Sequence, residues 1–353
     1  MSTKIIAFFN NQGGVGKTSL VYHLAWMYQD LGLRVVAADL DPQANLSAAF
    51  LDEERLEQIW ENGQTTTVFD CVKPLLKGIG DIDNPYLEYI QETESSRQLA
   101  LSPELESLAL LVGDLALSGF EYELSEQWSY CLGGAAQERA FRVISAFWRI
   151  LQKAAVNHKA NVILMDLGPN LGAINRAALI AADYVVVPLA PDLFSLQGLR
   201  NLGPTLRTWR EEWQERLAKK NSSDKKGFAT DLQLPDGTMQ PVGYIVLQHS
   251  VRLDRPVKAY ERWIARIPTV YQEVVLNQPS GNKMSIENDP NCLALLKNYQ
   301  SLMPMAQEAH KPMFHLKPAD GAIGAHTKVV KNVYKDFKDL AYKIAEQTQF
   351  KIP

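Results

Sequence analysis

The run Gln12-Gly13-Gly14-Val15-Gly16-Lys17-Thr18 constrains this chain most, because of what stands on either side of it. Residues 4–10 (KIIAFFN) are almost continuously apolar and read as a buried strand. Residues 17–31 place Leu20, Leu24, Met27, Tyr28 and Leu31 at helical spacing, and Gly32 stops the helix. Glycines between a strand and a helix let the backbone turn several N–H groups inward, and the helix N-terminus adds partial positive charge. Gly13, Gly14, Val15, Gly16, Lys17, Thr18 and Ser19 are therefore expected to cradle phosphates. Lys17 would reach the β- and γ-phosphates and the Thr18 hydroxyl would ligate Mg²⁺. The usual pattern, GxxxxGK[ST], opens on a glycine where this chain has Asn11. A glycine turn without a ligand would use the same residues, but the flanking strand and helix argue against it.

Four more apolar runs follow, at residues 34–39 (RVVAAD), 161–166 (NVILMD), 183–188 (DYVVVP) and 243–247 (GYIVL). None alternates apolar with polar, which suits strands covered on both faces. Strands alternating with helical patterns predict a doubly wound, mostly parallel α/β sheet. At 353 residues the chain is read as a single domain with two inserted stretches. Residues 51–97 are acidic and carry breakers at Pro74, Gly78, Gly80 and Pro85. Residues 211–241 are polar and include the turn signal Pro235-Asp236-Gly237.

Charge is segregated. Residues 51–130 hold 17 acidic and 4 basic side chains, so a chain whose net charge is −4 is net positive elsewhere. That balance argues against a wholly basic nucleic-acid binder, yet allows a local polyanion-facing side, to which residues 252–266 and 311–353 would contribute. A solvated acidic face accounts for the same counts. Cys71, Cys131 and Cys292 lie far apart with no paired spacing, which argues against disulfides and structural zinc and fits a cytoplasmic protein. No run approaches the ~18 apolar residues of a bilayer span, and the strand pattern begins without a leader before it.

Beyond the loop, the motifs together resemble the ParA/MinD partition ATPases, whose loop reads KGGxGK[ST] and matches here at five of six fixed positions. Asp39-Leu40-Asp41-Pro42-Gln43-Ala44-Asn45 is similar to the family's DxDPQ(G/A)N, and Asp166-Leu167-Gly168-Pro169-Asn170-Leu171-Gly172 to its DxPPSLG. The resemblance runs from Lys4 to about Leu202 and resumes at Gly243. It implies ATP and Mg²⁺ as cofactors, a homodimer formed on ATP binding, and an adaptor of ParB type that stimulates hydrolysis. By the same resemblance Asp41 orients the attacking water, Asp39 supports the loop and the magnesium shell, and Asp166 is a magnesium carboxylate. Asp39 and Asp41 are two apart, so on a continued strand both would face one side. Gln248 and Asn277 fall near the family's two adenine loops, although solvent-facing side chains explain them equally. One position departs: the signature lysine, which reaches a dimer partner's phosphates, is Gln12 here. Arg176 and Lys153, near the second carboxylate motif, are candidates to supply the missing cation.

Residues 327–347 form an amphipathic helical pattern, with Val330, Val333, Tyr334, Phe337, Leu340, Ala341 and Ile344 on one side. Lys328, Lys331, Lys335 and Lys338 form a row beside them. The row is either plain solvation or a set of phosphate contacts for non-specific DNA, and the resemblance favours DNA. The main expectation is a ParA-type ATPase that segregates or positions a plasmid, chromosome or other cargo on the nucleoid. The alternative is a MinD-type ATPase recruited to a membrane or protein partner without DNA. Against a membrane, the apolar stripe leads only to a short polar tail. A third reading is a P-loop metabolic enzyme; a nitrogenase-like iron protein would need cluster cysteines after the switch strands, where this chain has none.

Overall fold

In the computed structural model, residues 3–62, 66–91, 107–223, 232–249, 251–252, 255–256, 258–281, 284–299 and 301–353 are described. Strands β1 (Lys4–Phe8), β2 (Val35–Asp39), β3 (Glu88–Tyr89), β4 (Leu108–Leu111), β5 (Val162–Asp166), β6 (Tyr184–Leu189), β7 (Gln240–His249) and β10 (Cys292–Lys297) form one sheet in the order β10-β7-β6-β1-β5-β2-β4-β3. Strands β8 (Val251–Arg252) and β9 (Arg255–Pro256) pair separately. Every pairing in the large sheet is parallel except β3 with β4. The expected doubly wound α/β fold is what the chain adopts.

Because successive side chains on a strand point to opposite faces, β1 feeds two cores. Ile5, Ala7 and Phe9 enter one and Ile6 and Phe8 the other. The Ile6 face is covered by α1 (Lys17–Asp30), α2 (Asn45–Phe50) and α3 (Glu53–Asn62). The Ile5 face is covered by α4 (Val68–Lys77), α5 (Glu121–Tyr130), α6 (Gln137–Ile144), α7 (Ala146–His158), α8 (Ala173–Ala181) and α9 (Leu193–Ser223). Two short helices, α10 (Lys258–Ile264) and α11 (Ile267–Val270), complete that layer. On the Ile6 side the last helices are α12 (Leu302–Glu308) and α13 (Ala325–Thr348). With helices on both faces, the buried strands need no polar side, which explains their continuous apolar runs.

The acidic stretch at 51–97 contributes to both cores where it is described. Leu56 and Ile59 of α3 enter one, and Val68, Cys71, Val72 and Leu75 of α4 enter the other. A reciprocal cap between Thr67 and Asp70 starts α4, and Gly78 ends it. In the stretch 211–241, helix α9 runs on to Ser223, and Trp213 is fully buried with its indole N–H donating to the Pro235 carbonyl at 3.0 Å. The amphipathic pattern at 327–347 lies in α13, which buries Val333, Phe337, Leu340, Ala341 and Ile344. Lys328, Lys331 and Lys335 are exposed, while Lys338 is half-buried with its ammonium 6.0 Å from the centre of the Tyr334 ring. Among the described residues no helix is long and apolar enough to cross a membrane. All three cysteines are buried and unpaired.

Candidate nucleotide site

Strand β1 lies where the sheet changes direction, with β6 on one side and β5 on the other. In open α/β sheets such a switch point leaves a crevice at the carboxyl ends of the strands. The loop after β1 opens into it. Gly16 sits at φ 81° as the residue before α1, and a Cβ there would also come within 3.2 Å of the Leu247 side chain. A β-carbon is disfavoured at that φ, so only glycine enters α1 this way without strain.

A cleft of about 670 Å³ is lined by Gly13, Gly14, Gly16, Lys17, Thr18 and Ser19, by Asp41, Gln43 and Asn45, by Pro169, and by Met303 to Lys311 on the α12 side. Lys17 is 6% exposed and its ammonium donates to the Gln12 carbonyl at 3.1 Å. Burial lowers its pKa, and the charges of Asp166 and Asp41 oppose that. A buried lysine folded onto its own loop, facing carboxylates, can exchange that carbonyl for phosphate oxygens.

The register aligns Asp39 of β2 with Asp166 of β5, and Phe8 of β1 with the same Asp166. Asp39 and Asp41 then diverge, contrary to the continued strand expected. Strand β2 ends at Asp39, and the chain turns through Asp41, whose carbonyl accepts from the Ala44 N–H at 2.9 Å. Asp39 is fully buried, accepting from the Ser47 N–H and hydroxyl at 2.8 Å each and from the Asp41 N–H at 3.3 Å. Burial raises its pKa to about 7 against those hydrogen bonds, with the Asp41 charge adding to the rise. Asp41 instead lines the cleft, and one of its oxygens accepts from the Gln43 N–H at 3.0 Å. A Cβ on Gly168 would stand 3.1 Å from that same oxygen, so a side chain at residue 168 would crowd Asp41 where the loop after β5 passes it.

Asp166 is also fully buried, and neither of its carboxyl oxygens has a hydrogen-bond partner among the described residues. Burial pushes its pKa up to about 8, with the Asp39 charge adding to the rise and the Lys17 charge opposing it. Two orphaned carboxyl oxygens near a threonine hydroxyl are what a divalent cation would satisfy. Among the described residues no His, Cys, Asp and Glu cluster forms a metal cage by itself.

A family model described as an AAA domain matches residues 3–219, more than half of the chain. The chromosome partitioning protein ParA of Caulobacter vibrioides is 29% identical over 214 residues, 61% of this chain and 66% of the relative. The chain belongs to the AAA domain family, as a ParA/MinD-type P-loop ATPase. It covers just under two thirds of the length of that relative. A crystal structure of a Corynebacterium diphtheriae protein shares the fold with a TM-score of 0.69 at 23% identity, over 98% of this chain and 99% of the other. A plasmid partition protein of Borrelia burgdorferi bound to AMPPNP does so with a TM-score of 0.51 at 16% identity, over 97% and 100%.

Other expected site residues of this ParA-family chain are less well gathered. Gln12 does not point outward: its side-chain oxygen accepts from the Ser195 hydroxyl at 2.8 Å, and its amide donates to Asp192 at 3.4 Å. Arg176 stacks on Trp128, 4.2 Å from the ring centre, and Lys153 bonds Asn84, so neither candidate cation lines the cleft. Its lysines are Lys17 and Lys311. Asn277 is exposed at φ 55°, in the turn after a segment packed on α9, and lines neither this cleft nor its neighbour. The neighbouring cavity, about 130 Å³, is walled by Leu247, by Leu296 and Lys297 at the end of β10, and by Asn298 and Tyr299 after it. Strand β10 follows 16 residues after Leu276, so the loop beyond the last strand begins at Asn298 and not near Asn277. The apolar run CLALLK before Asn298 was the available signal. Gln248 has its backbone in β7, but its side chain lies outside the described residues. Sequence reading missed Ser47, whose two bonds hold Asp39, and Asn175, whose amide donates to the Gly168 and Asn170 carbonyls at 2.8 and 2.7 Å.

Proposed function

We propose that this chain is a Mg²⁺-dependent ATPase that works as an ATP-driven dimeric switch of ParA type. Its ATP-bound form would bind DNA non-specifically and segregate or position a cargo on the nucleoid, through an adaptor of ParB type that stimulates hydrolysis. The observation that carries the reading is one cleft holding the glycine loop, the buried Lys17 and Asp41. In this reading the N–H groups of Gly13 to Ser19 and the Lys17 ammonium bind the phosphates, and Asp41 orients the attacking water. Thr18 and Asp166 would hold Mg²⁺, which would supply neutralisation of the phosphate charge. Asp39 acts through its bonds to Ser47 and Asp41 as the anchor of the first carboxylate loop. The reading is tested by ATP-dependent retardation of non-specific duplex at two salt concentrations, beside an ATPase assay. Mobility unchanged by ATP, together with sedimentation on vesicles, would favour the MinD-type alternative.

Two variants probe the finer parts. If Lys328, Lys331, Lys335 and Lys338 meet phosphates, Lys331→Glu/Lys335→Glu should lower the slope of log affinity against log salt by about 0.9 per lost contact. It should weaken all duplex sequences alike, because phosphates carry no sequence code. Fluorescence anisotropy with ATP measures both, and a wild-type slope would leave the row as solvated surface. Gln12→Ala removes two side-chain hydrogen bonds to the segment that begins α9. It should cost about 1–2 kcal/mol in stability and leave ATP affinity unchanged. A large loss of ATP-dependent dimer by light scattering would instead make Gln12 a contact to the partner.

A further inference from the structure

Helix α8 follows directly on the second carboxylate loop, yet its own sequence gives it no N-terminal cap. The residue before it is Gly172, which has no side chain to accept from the first N–H groups. Those groups, on the buried Ala173 and Ile174, donate instead to the two oxygens of Glu121 at 2.5 and 2.8 Å. Glu121 is the first residue of α5, 52 residues earlier in the chain. A carboxylate bridging two N–H groups at a helix start gains both charge-assisted hydrogen bonds and the favourable end of the helix dipole.

This long-range cap is joined to both carboxylate loops. Upstream of Glu121, the Gly113 N–H donates to the Ser47 hydroxyl at 2.8 Å, and that hydroxyl donates to Asp39. Downstream, α8 carries Asn175, whose amide holds the Gly168 and Asn170 carbonyls. A Cβ on Gly168 would stand 3.1 Å from an Asp41 oxygen and one on Gly13 would stand 3.8 Å from the Pro169 ring, and Gly13, Asp41 and Pro169 line the same cleft. A displacement of the start of α8 is therefore transmitted to the surfaces that close on Asp41.

We propose that Glu121 is a positioning residue for ATP hydrolysis: by clamping the first N–H groups of α8, it holds Gly168 and Pro169 in register with Asp41 and the phosphate loop. The proposal rests on the reading of Asp41 as the group that orients water. Glu121 lines no part of the cleft, so the clamp governs turnover and not nucleotide capture.

The test uses the full chain as Glu121→Gln and Glu121→Asp, with Glu126→Gln, an exposed position on the same helix, as control. Affinity for a non-hydrolysable ATP analogue is measured by calorimetry, turnover at saturating Mg-ATP by phosphate release, and backbone amide exchange across residues 168–175 by mass spectrometry. Glu121→Gln keeps one acceptor oxygen, sets its NH₂ donor against the second N–H, and removes the negative charge at the helix start. It should lower kcat about tenfold or more, leave analogue affinity within about threefold, and speed exchange at residues 173–174. Glu121→Asp should recover part of the turnover, and it carries the test if Glu121→Gln does not fold. Wild-type turnover in Glu121→Gln with faster exchange at residues 173–174 overturns the proposal, as does an equal loss of affinity and turnover. Those outcomes leave the Asp41 reading standing. Wild-type turnover in Asp41→Ala, by contrast, removes that reading and the proposal with it.

Discussion

Lys17→Ala should abolish measurable ATP binding. Lys17 is 6% exposed, and its ammonium donates to a backbone carbonyl of its own loop. Its charge faces Asp41 and Asp166, and without it the remaining lysine of the cleft is Lys311, which is already paired with Asp320. Removing one partner of a buried, hydrogen-bonded charge pair costs about 3–5 kcal/mol, which is roughly two to four orders of magnitude in affinity. The fold should survive, because the Lys17 methylenes contribute little beside the apolar residues Leu20, Val21 and Leu24 that hold α1 to the sheet. Calorimetric titration with ATP and Mg²⁺ measures the effect. Wild-type affinity in the variant would defeat the phosphate-loop reading outright.

Asp41→Ala should separate binding from chemistry. Asp41 lines the cleft but is not one of the loop residues expected to hold phosphates. Its carboxylate accepts from the Gln43 N–H, a local turn contact worth about 1 kcal/mol. Loss of a group that positions or deprotonates a nucleophile typically costs about 10²–10⁴ in rate. The variant should bind Mg-ATP near wild-type affinity, hydrolyse it at least about 100-fold more slowly, and accumulate as an ATP-bound dimer. Asp41→Asn, which keeps a carbonyl for Gln43, should show the same loss of turnover with less effect on stability. Phosphate release and light scattering on the same samples measure the two halves. Turnover at the wild-type rate would move the water-orienting role to another residue.

The two predictions draw on different kinds of information. The loop around Lys17 is legible in the chain because it is local: the glycines, the lysine and the helix start are consecutive, and backbone geometry places them together. Asp41 was legible as a motif, but its separation from Asp39 was not. Two residues apart, they share a face only on a strand, and strand β2 ends at Asp39 because the chain turns there under its own hydrogen bonds. That turn sends one carboxylate into the core to meet Ser47 and the other into the cleft.

The sequence by itself determined the parallel α/β layering, since unbroken apolar runs leave no face for water, and it placed the glycine loop between the first strand and the first helix. The tertiary structure alone decided which distant residues complete the site. Gln12 turns to Ser195 across a separation of 183 positions, and Glu121 caps a helix 52 positions away. The loop beyond the last strand begins at Asn298, and not near Asn277, because the chain between β7 and β10 folds against α9 first. Spacing and periodicity report only neighbours along the chain. A carboxylate that caps another helix, or an amide that bonds another loop, leaves no periodic trace, because its partner is set by how strands pair and helices pack.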